Sequence, residues 1–171
     1  EGEGPYWLSE AETKNIDALY LKAGLDQLEN KLSDAESGYR TILRLEGEQA
    51  RAYVGLARVL DGQKKYEEAE KYLKKAVALD PNETGNRLRL VQYYLKQRDV
   101  TMAEKEILKG IKLNPQDIQL YIMKGNISRM QGRNEDAERA YLKAISIVPG
   151  LKQLCITMAT FARTSSPALC P

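Results

Sequence analysis

Residues 66–81 read YEEAEKYLKKAVALDP, and the pattern of this stretch recurs along the chain. Small and apolar residues follow one another at helical spacing, and Pro81 ends the helix because proline cannot continue the hydrogen-bond ladder. The Ala69-Glu70 pair returns every 34 residues, at Ala35-Glu36, Ala103-Glu104 and Ala137-Glu138. Helix stops keep the same register, at Gly47, Pro115 and Pro149. A fixed period of this length is the signature of a repeat architecture.

Two columns of the repeat predict a pair of antiparallel helices in each unit. A mostly small column lies in the first helix, at Ala23, Ala57, Val91 and Gly125. A bulky column lies in the second helix, on the face of the Ala-Glu alanine, at Tyr39, Leu73, Ile107 and Tyr141. Bulky side chains therefore fill the space that small ones leave where helices cross. A last apolar contact is expected where each second helix ends, at Leu45, Leu79, Leu113 and Ile147.

The period divides the chain into four units, 16–49, 50–83, 84–117 and 118–151. Residues 1–15 are predicted to form a leader and helix extension, in which Ser9 to Glu12 reads as a capping box that would start the first helix near Glu10. Its segment Tyr6-Trp7-Leu8 is expected to cover that helix, with docking into a neighbouring molecule as the alternative. Residues 152–163 repeat the first-helix pattern and are predicted to cap the apolar end of the stack, before a tail at 164–171.

These features together resemble the tetratricopeptide repeat, over 136 of 171 residues. The second unit matches the family pattern best, at Tyr53, Leu56, Ala57, Tyr66, Ala69, Leu73, Ala76 and Pro81. The first and fourth units depart from it at Lys22 and Lys124, where leucine is usual. The resemblance implies an all-α fold, a right-handed superhelical solenoid of four antiparallel helix pairs plus a C-terminal capping helix. An RNA-reading pentatricopeptide array would need one more residue per unit and a basic surface.

Composition restricts the chemistry of the chain. There is no histidine, which removes the commonest general base and metal ligand. Two cysteines, Cys155 and Cys170, do not make a tetrahedral zinc site alone, so they are either free thiols or a terminal disulfide. The 26 basic and 24 acidic residues are interleaved, and no basic block exists to neutralise a run of phosphates. We therefore predict no catalysis, no cofactor, no metal and no nucleic-acid partner.

Hydropathy addresses the compartment. No apolar run approaches the roughly 18 to 20 residues that span a bilayer, and no signal-peptide pattern starts the chain. We therefore expect no direct membrane span and a soluble protein. It would be cytoplasmic or, if a signal segment has been removed, periplasmic or envelope-associated.

The family resemblance implies that the first helices line a concave groove. One row on their face is apolar, at Tyr20, Val54, Leu88 and Ile122, and continues to Ile156. Polar and basic residues lie beside it, at Arg51, Arg58, Gln92, Lys96, Asn126 and Arg129, with Asp17 and Asp61 as acidic exceptions. Such a surface suits a protein or peptide with apolar anchors and acidic flanks. The alternatives are that the apolar row belongs to the core and that the basic row is a solvated face.

Three functional hypotheses follow. The leading one is a protein-interaction scaffold or adaptor within a larger complex, with a partner peptide or helix in the groove. The alternatives are a self-associating module, which forms a homo-oligomer through the N-terminal segment or the end faces, and the regulatory portion of a larger protein. Family members that hold acidic chaperone tails use a five-residue clamp, whose places hold Tyr20, Gly24, Gly55, Gly85 and Arg89 here. Only Arg89 fits, so that mechanism is not predicted.

Overall fold

A computed structural model describes residues 16–147, which form eight α-helices and no strand. The helices are α1 (Ile16–Leu28), α2 (Leu32–Glu46), α3 (Ala50–Gly62), α4 (Tyr66–Leu79), α5 (Thr84–Lys96), α6 (Val100–Leu113), α7 (Ile118–Met130) and α8 (Asn134–Ile147). The helices fall into two compact units, which are larger than the four predicted repeats and are called unit 1 and unit 2 from here on. Unit 1, up to Pro81, contains α1 to α4, and unit 2, from Asn82 onwards, contains α5 to α8. The predicted all-α class is confirmed. The helix start near Glu10, the helix at 152–163 and both cysteines lie outside the described residues.

The core of each unit consists of the two predicted columns. The four alanines of the Ala-Glu pairs have no exposed surface, and all four residues of the bulky column are buried. In unit 1, a Cβ built on Gly38 of α2 would lie 2.9 Å from the Cβ of Ala23 in α1. Only small residues at this crossing let the two helices approach so closely, as the column pattern predicts.

The ends of the second helices differ from the sequence-based expectation. Leu45, Leu79 and Leu113 are 49%, 42% and 46% exposed, so the predicted apolar contact at these places is largely wrong. Each residue lies in the last turn of its helix, next to a loop whose residues are themselves exposed. Few side chains are available there to cover a leucine, although the 34-residue pattern repeats it faithfully.

Left-handed residues form the turn inside each helix pair. Asn30, Lys64, Arg98 and Gly132 have φ between 61° and 73° and are themselves 34 residues apart. In the α3–α4 turn, the Lys65 N–H donates to the Leu60 carbonyl at 2.8 Å, and the Lys64 N–H donates to the Asp61 carbonyl at 3.0 Å. These bonds satisfy helix-end carbonyls in the manner of a Schellman motif. Three of the four positions are not glycine, so the turns bear backbone strain.

A buried ion pair joins α5 and α6 in unit 2. Arg87 Nη1 donates to Glu106 Oε2 at 2.8 Å, and the two side chains are only 5% and 7% exposed. Lys109 Nζ donates to the other oxygen of Glu106 at 2.6 Å. The carboxylate is thus held by two cations, and this offsets part of the cost of removing it from water.

Candidate partner-binding site

The predicted row in unit 1 lies on α1 and α3, two helices in direct contact. The guanidinium carbon of Arg51 lies 4.1 Å from the centroid of the Tyr20 ring, a cation–π distance. Val54 and Tyr20 are half-buried, whereas Arg51 and Arg58 are exposed. The structure therefore brings Tyr20 and Arg51 together and leaves the rest of this surface open.

Tyr39 packs against the underside of the same face, and its ring is buried as the bulky column predicts. Its ring lies over Gly55 of α3, because a Cβ built on that glycine would be 2.3 Å from Cε1 and 2.4 Å from Cζ. The ring also meets Tyr20 edge to face, with 6.4 Å between centroids. A glycine between Arg51 and Arg58 on one helix face was the available sign that another side chain occupies that place.

Burial and two nearby charges act in opposite directions on the pKa of the Tyr39 hydroxyl. Burial raises the pKa of Tyr39 above its ordinary value of 10.0, and the nearby charges of Arg58 and Arg51 oppose that shift. Burial likewise raises the pKa of Tyr20, with Arg51 again opposing. Both phenols therefore stay protonated at neutral pH and act as hydrogen-bond donors.

In unit 2, the predicted residues lie on α5 and α7. Leu88 and Ile122 are half-buried, as is Asn126, while Gln92, Lys96 and Arg129 are exposed. Asn126 is engaged within the chain, since its Oδ1 accepts a 2.9 Å hydrogen bond from the Tyr141 hydroxyl. The face is thus similar to that of unit 1 in its apolar residues and differs from it in the polar groups that remain available.

The four apolar residues of the row differ from their core neighbours in burial. Tyr20, Val54, Leu88 and Ile122 each keep part of the side chain accessible. Leu56, Leu90 and Leu120 on the same helices are 0%, 2% and 0% exposed. Each first helix therefore has one face that is fully buried and another that is partly exposed.

Two surface clefts lie away from this row. One of about 420 Å³ is on α2, and its Arg40 and Glu36 pair with each other at 2.8 Å. Another of about 550 Å³ lies among the loops of unit 2, where Asn114 bridges to the Asn82 carbonyl at 2.7 Å. Between residues 16 and 147, no cluster of three or more acidic or cysteine side chains is placed to hold a metal ion.

Known proteins show two kinds of similarity to the chain. Human protein O-mannosyl-transferase TMTC3 is 26% identical to it, across 72% of this chain and 16% of that protein. The chain thus spans about a sixth of this curated relative. Its fold resembles the crystal structure of MamA, with a TM-score of 0.63, 20% identity and coverage of 90% of this chain and 84% of MamA.

The structure of YrrB, described as a tetratricopeptide repeat protein with an unusual peptide-binding site, is also similar. Its TM-score is 0.60, at 21% identity over 90% of this chain and 82% of YrrB. None of the helices described here has the length and apolarity to cross a membrane. Models of the tetratricopeptide repeat match residues 21–84, 62–127 and 118–150. The matches together extend from residue 21 to residue 150, and the chain belongs to the tetratricopeptide repeat family.

Proposed function

We propose that the chain is a protein-interaction scaffold whose first-helix faces bind a segment of a partner protein. One observation carries the proposal: three first helices each present a half-buried apolar residue beside exposed polar or basic ones. The apolar residues are Val54, Leu88 and Ile122. The proposal applies to the face of each unit separately.

Physical chemistry supports this role for a partly open apolar row. Covering the remaining apolar surface of these residues contributes about 25 cal/mol per Å² removed from water. The neighbouring Arg51, Arg58 and Arg129 are exposed and so add specificity and association rate more than affinity. A peptide or helix with apolar anchors and acidic flanks satisfies both features. YrrB, which shares the fold, is described as having a peptide-binding site.

A paired set of variants tests the proposal. In the test variant, Leu88→Glu and Ile122→Glu place charge on the first-helix face of unit 2. The control, Leu108→Glu with Leu142→Glu, makes the same change at second-helix leucines that are 47% and 52% exposed. We expect a partner captured with the tagged chain to lose affinity for the test variant and to keep it for the control. Equal binding to both variants would show that the partner uses another surface.

Self-association is a second candidate, favoured by the outer face of α1. Leu21, Leu25 and Leu28 recur at helical spacing and are 66%, 49% and 81% exposed. Exposed apolar stripes of this kind mark interaction surfaces. Light scattering over a concentration series should show a mass increase that Leu21→Glu with Leu28→Glu abolishes, and a constant monomer mass would exclude this candidate. A role as the regulatory repeats of a larger protein is the third, because the chain spans so little of TMTC3.

A further inference from the structure

We infer that Arg51, Arg58 and Tyr39 form a receptor for the carboxylate of an acidic peptide segment on the face of unit 1. This inference rests on the proposed function and deepens it, because it names the chemistry that the partner segment presents. Its occupant is an aspartate or glutamate side chain next to an apolar residue that contacts Val54.

The first observation is that both arginines are available. Arg51 and Arg58 are exposed, and neither forms an ion pair with any residue in the range 16–147. Asp61, one turn beyond Arg58, has interactions of its own and no ion pair with Arg58. Two cations on one helix face that form no ion pair within this range attract an anion.

The second observation is geometric. Arg51 and Arg58 are seven residues apart, about 10.5 Å along the axis of α3, with Val54 and Gly55 between them on the same stripe. Tyr39 fills the place above Gly55, and Arg58 and Arg51 are near enough for their charges to act on its phenol. Arg51 is also held over the Tyr20 ring, which restrains a long side chain before any ligand binds.

The third observation concerns the Tyr39 hydroxyl. It makes no hydrogen bond to the described part of the chain, and it is not among the buried polar atoms there that lack a partner. The hydroxyl therefore reaches water and has a proton to donate. A carboxylate oxygen accepts such a bond while the guanidinium groups supply charge-assisted bonds to the other lone pairs.

Unit 2 shows that this combination is not a general property of the repeat. Tyr141 lies over Gly125 in the same way, with a built Cβ 2.3 Å from its Cε1. Its hydroxyl donates to Asn126, whereas that of Tyr39 is left for a ligand. The positions that correspond to Arg51 and Arg58 around Gly125 hold Tyr121 and Ser128. Between residues 16 and 147, only the face of unit 1 combines a tyrosine ring over a glycine with two exposed arginines.

The first test selects binders from a random dodecapeptide display library on the full chain. We expect the selected peptides to carry an aspartate or glutamate near an apolar residue. Selection on the Arg51→Gln, Arg58→Gln double variant should keep the apolar preference and lose the acidic one. If no peptide is selected at all, the proposed function fails. If apolar peptides without acidic residues are selected, the carboxylate receptor fails and the proposed function stands.

The second test measures affinities by fluorescence anisotropy with a selected peptide. We expect the double variant to bind about tenfold more weakly, and Tyr39→Phe about threefold more weakly. The control, Arg44→Gln with Arg98→Gln, removes the same charge from two other exposed arginines and should bind as the parent chain does. Equal losses in the control would reduce the effect to general electrostatics and overturn the inference.

Changes in the peptide complete the test. Replacing the aspartate of the peptide by asparagine should weaken binding to the parent chain about tenfold. Binding to the double variant should not change, because that variant lacks the two arginines that pair with the aspartate. A peptide with phosphoserine at that position is a further arm. If it binds while the aspartate peptide does not, the ligand is a phosphate group and the carboxylate assignment is wrong.

Discussion

Gly55 provides a sharp test of the packing of Tyr39 against α3. An alanine there would put its Cβ 2.3 Å from Cε1 and 2.8 Å from Cδ1 of a ring that is only 6% exposed. The ring has to move against Tyr20, and such overpacking costs about 1 to 3 kcal/mol. Replacing a helical glycine by alanine also stabilises the helix by about 0.5 to 1 kcal/mol, which offsets part of this cost. We therefore expect Gly55→Ala to range from neutral to about 2.5 kcal/mol destabilised.

Gly24 of α1 is the matched control. A Cβ built there meets nothing within 4 Å, and the residue is helical. Gly24→Ala should therefore show only the propensity gain of about 0.5 to 1 kcal/mol. The two alanine variants should differ in unfolding free energy by about 1 to 3 kcal/mol, which for a chain of this size is about 2 to 4 °C in Tm per kcal/mol.

Urea unfolding followed by helical circular dichroism at 222 nm measures both variants. If Gly55→Ala is stabilised as much as Gly24→Ala, the Tyr39 ring does not lie over Gly55. Tyr39 would then not be in position to contribute to the carboxylate receptor. Adding Tyr39→Leu to Gly55→Ala should recover part of the loss, because leucine vacates the space that the ring tip occupies. Failure of this recovery would place the strain elsewhere.

Four other predictions address packing, turns and charges. Ala69→Leu or Ala103→Leu should cost about 1 to 3 kcal/mol by overpacking at fully buried positions, and unchanged urea midpoints would contradict the helix pairing. Lys64→Gly should relieve left-handed strain of about 1 to 2 kcal/mol, less the entropy of glycine, and so raise Tm, whereas a lower Tm would refute the turn geometry. Arg87→Met should cost about 3 kcal/mol in urea unfolding, because Glu106 keeps only Lys109, and adding Glu106→Leu should restore most of it. The hydrogen bond and charge of Arg133 lower the pKa of Glu104 below 4.5, so its contribution is present above that pH and is lost as the pH falls through the lowered pKa. Urea midpoints between about pH 6 and about pH 3 should therefore fall less in Glu104→Gln than in the parent chain.

The sequence could predict the helices because the repeat states each packing requirement four times. A small residue at Ala69 and a bulky one at Leu73 are needed wherever two helices cross, so period and burial agree. The same logic failed at Leu79, since a repeated apolar residue does not tell whether a neighbour exists to cover it. The left-handed backbone of Lys64 could not be predicted either, because lysine has no preference for a positive φ such as the 63° found here.

The candidate site was predictable only in part, for a related reason. A helix face follows from spacing alone, so Arg51, Val54 and Arg58 could be grouped from the sequence. The reach of a side chain from another helix does not follow from spacing. Tyr39 was assigned to the core by its column, and its ring is buried, but only the structure shows that the ring lies over Gly55, which stands between Arg51 and Arg58 along α3.

Tyr39 and Tyr141 pack in the same way but differ in the surroundings of their hydroxyl groups. Both rings fill the space over a first-helix glycine, so both are held by the same packing requirement. Tyr39 reaches from α2 to α3 and so joins successive helix pairs, whereas Tyr141 stays within the pair α7–α8. The surroundings of the two hydroxyls differ: that of Tyr141 donates a hydrogen bond to Asn126 Oδ1, whereas the charges of Arg58 and Arg51 act on that of Tyr39. We therefore expect substitutions beside such a glycine to change the polar groups at the surface, while the contact between glycine and ring keeps the packing.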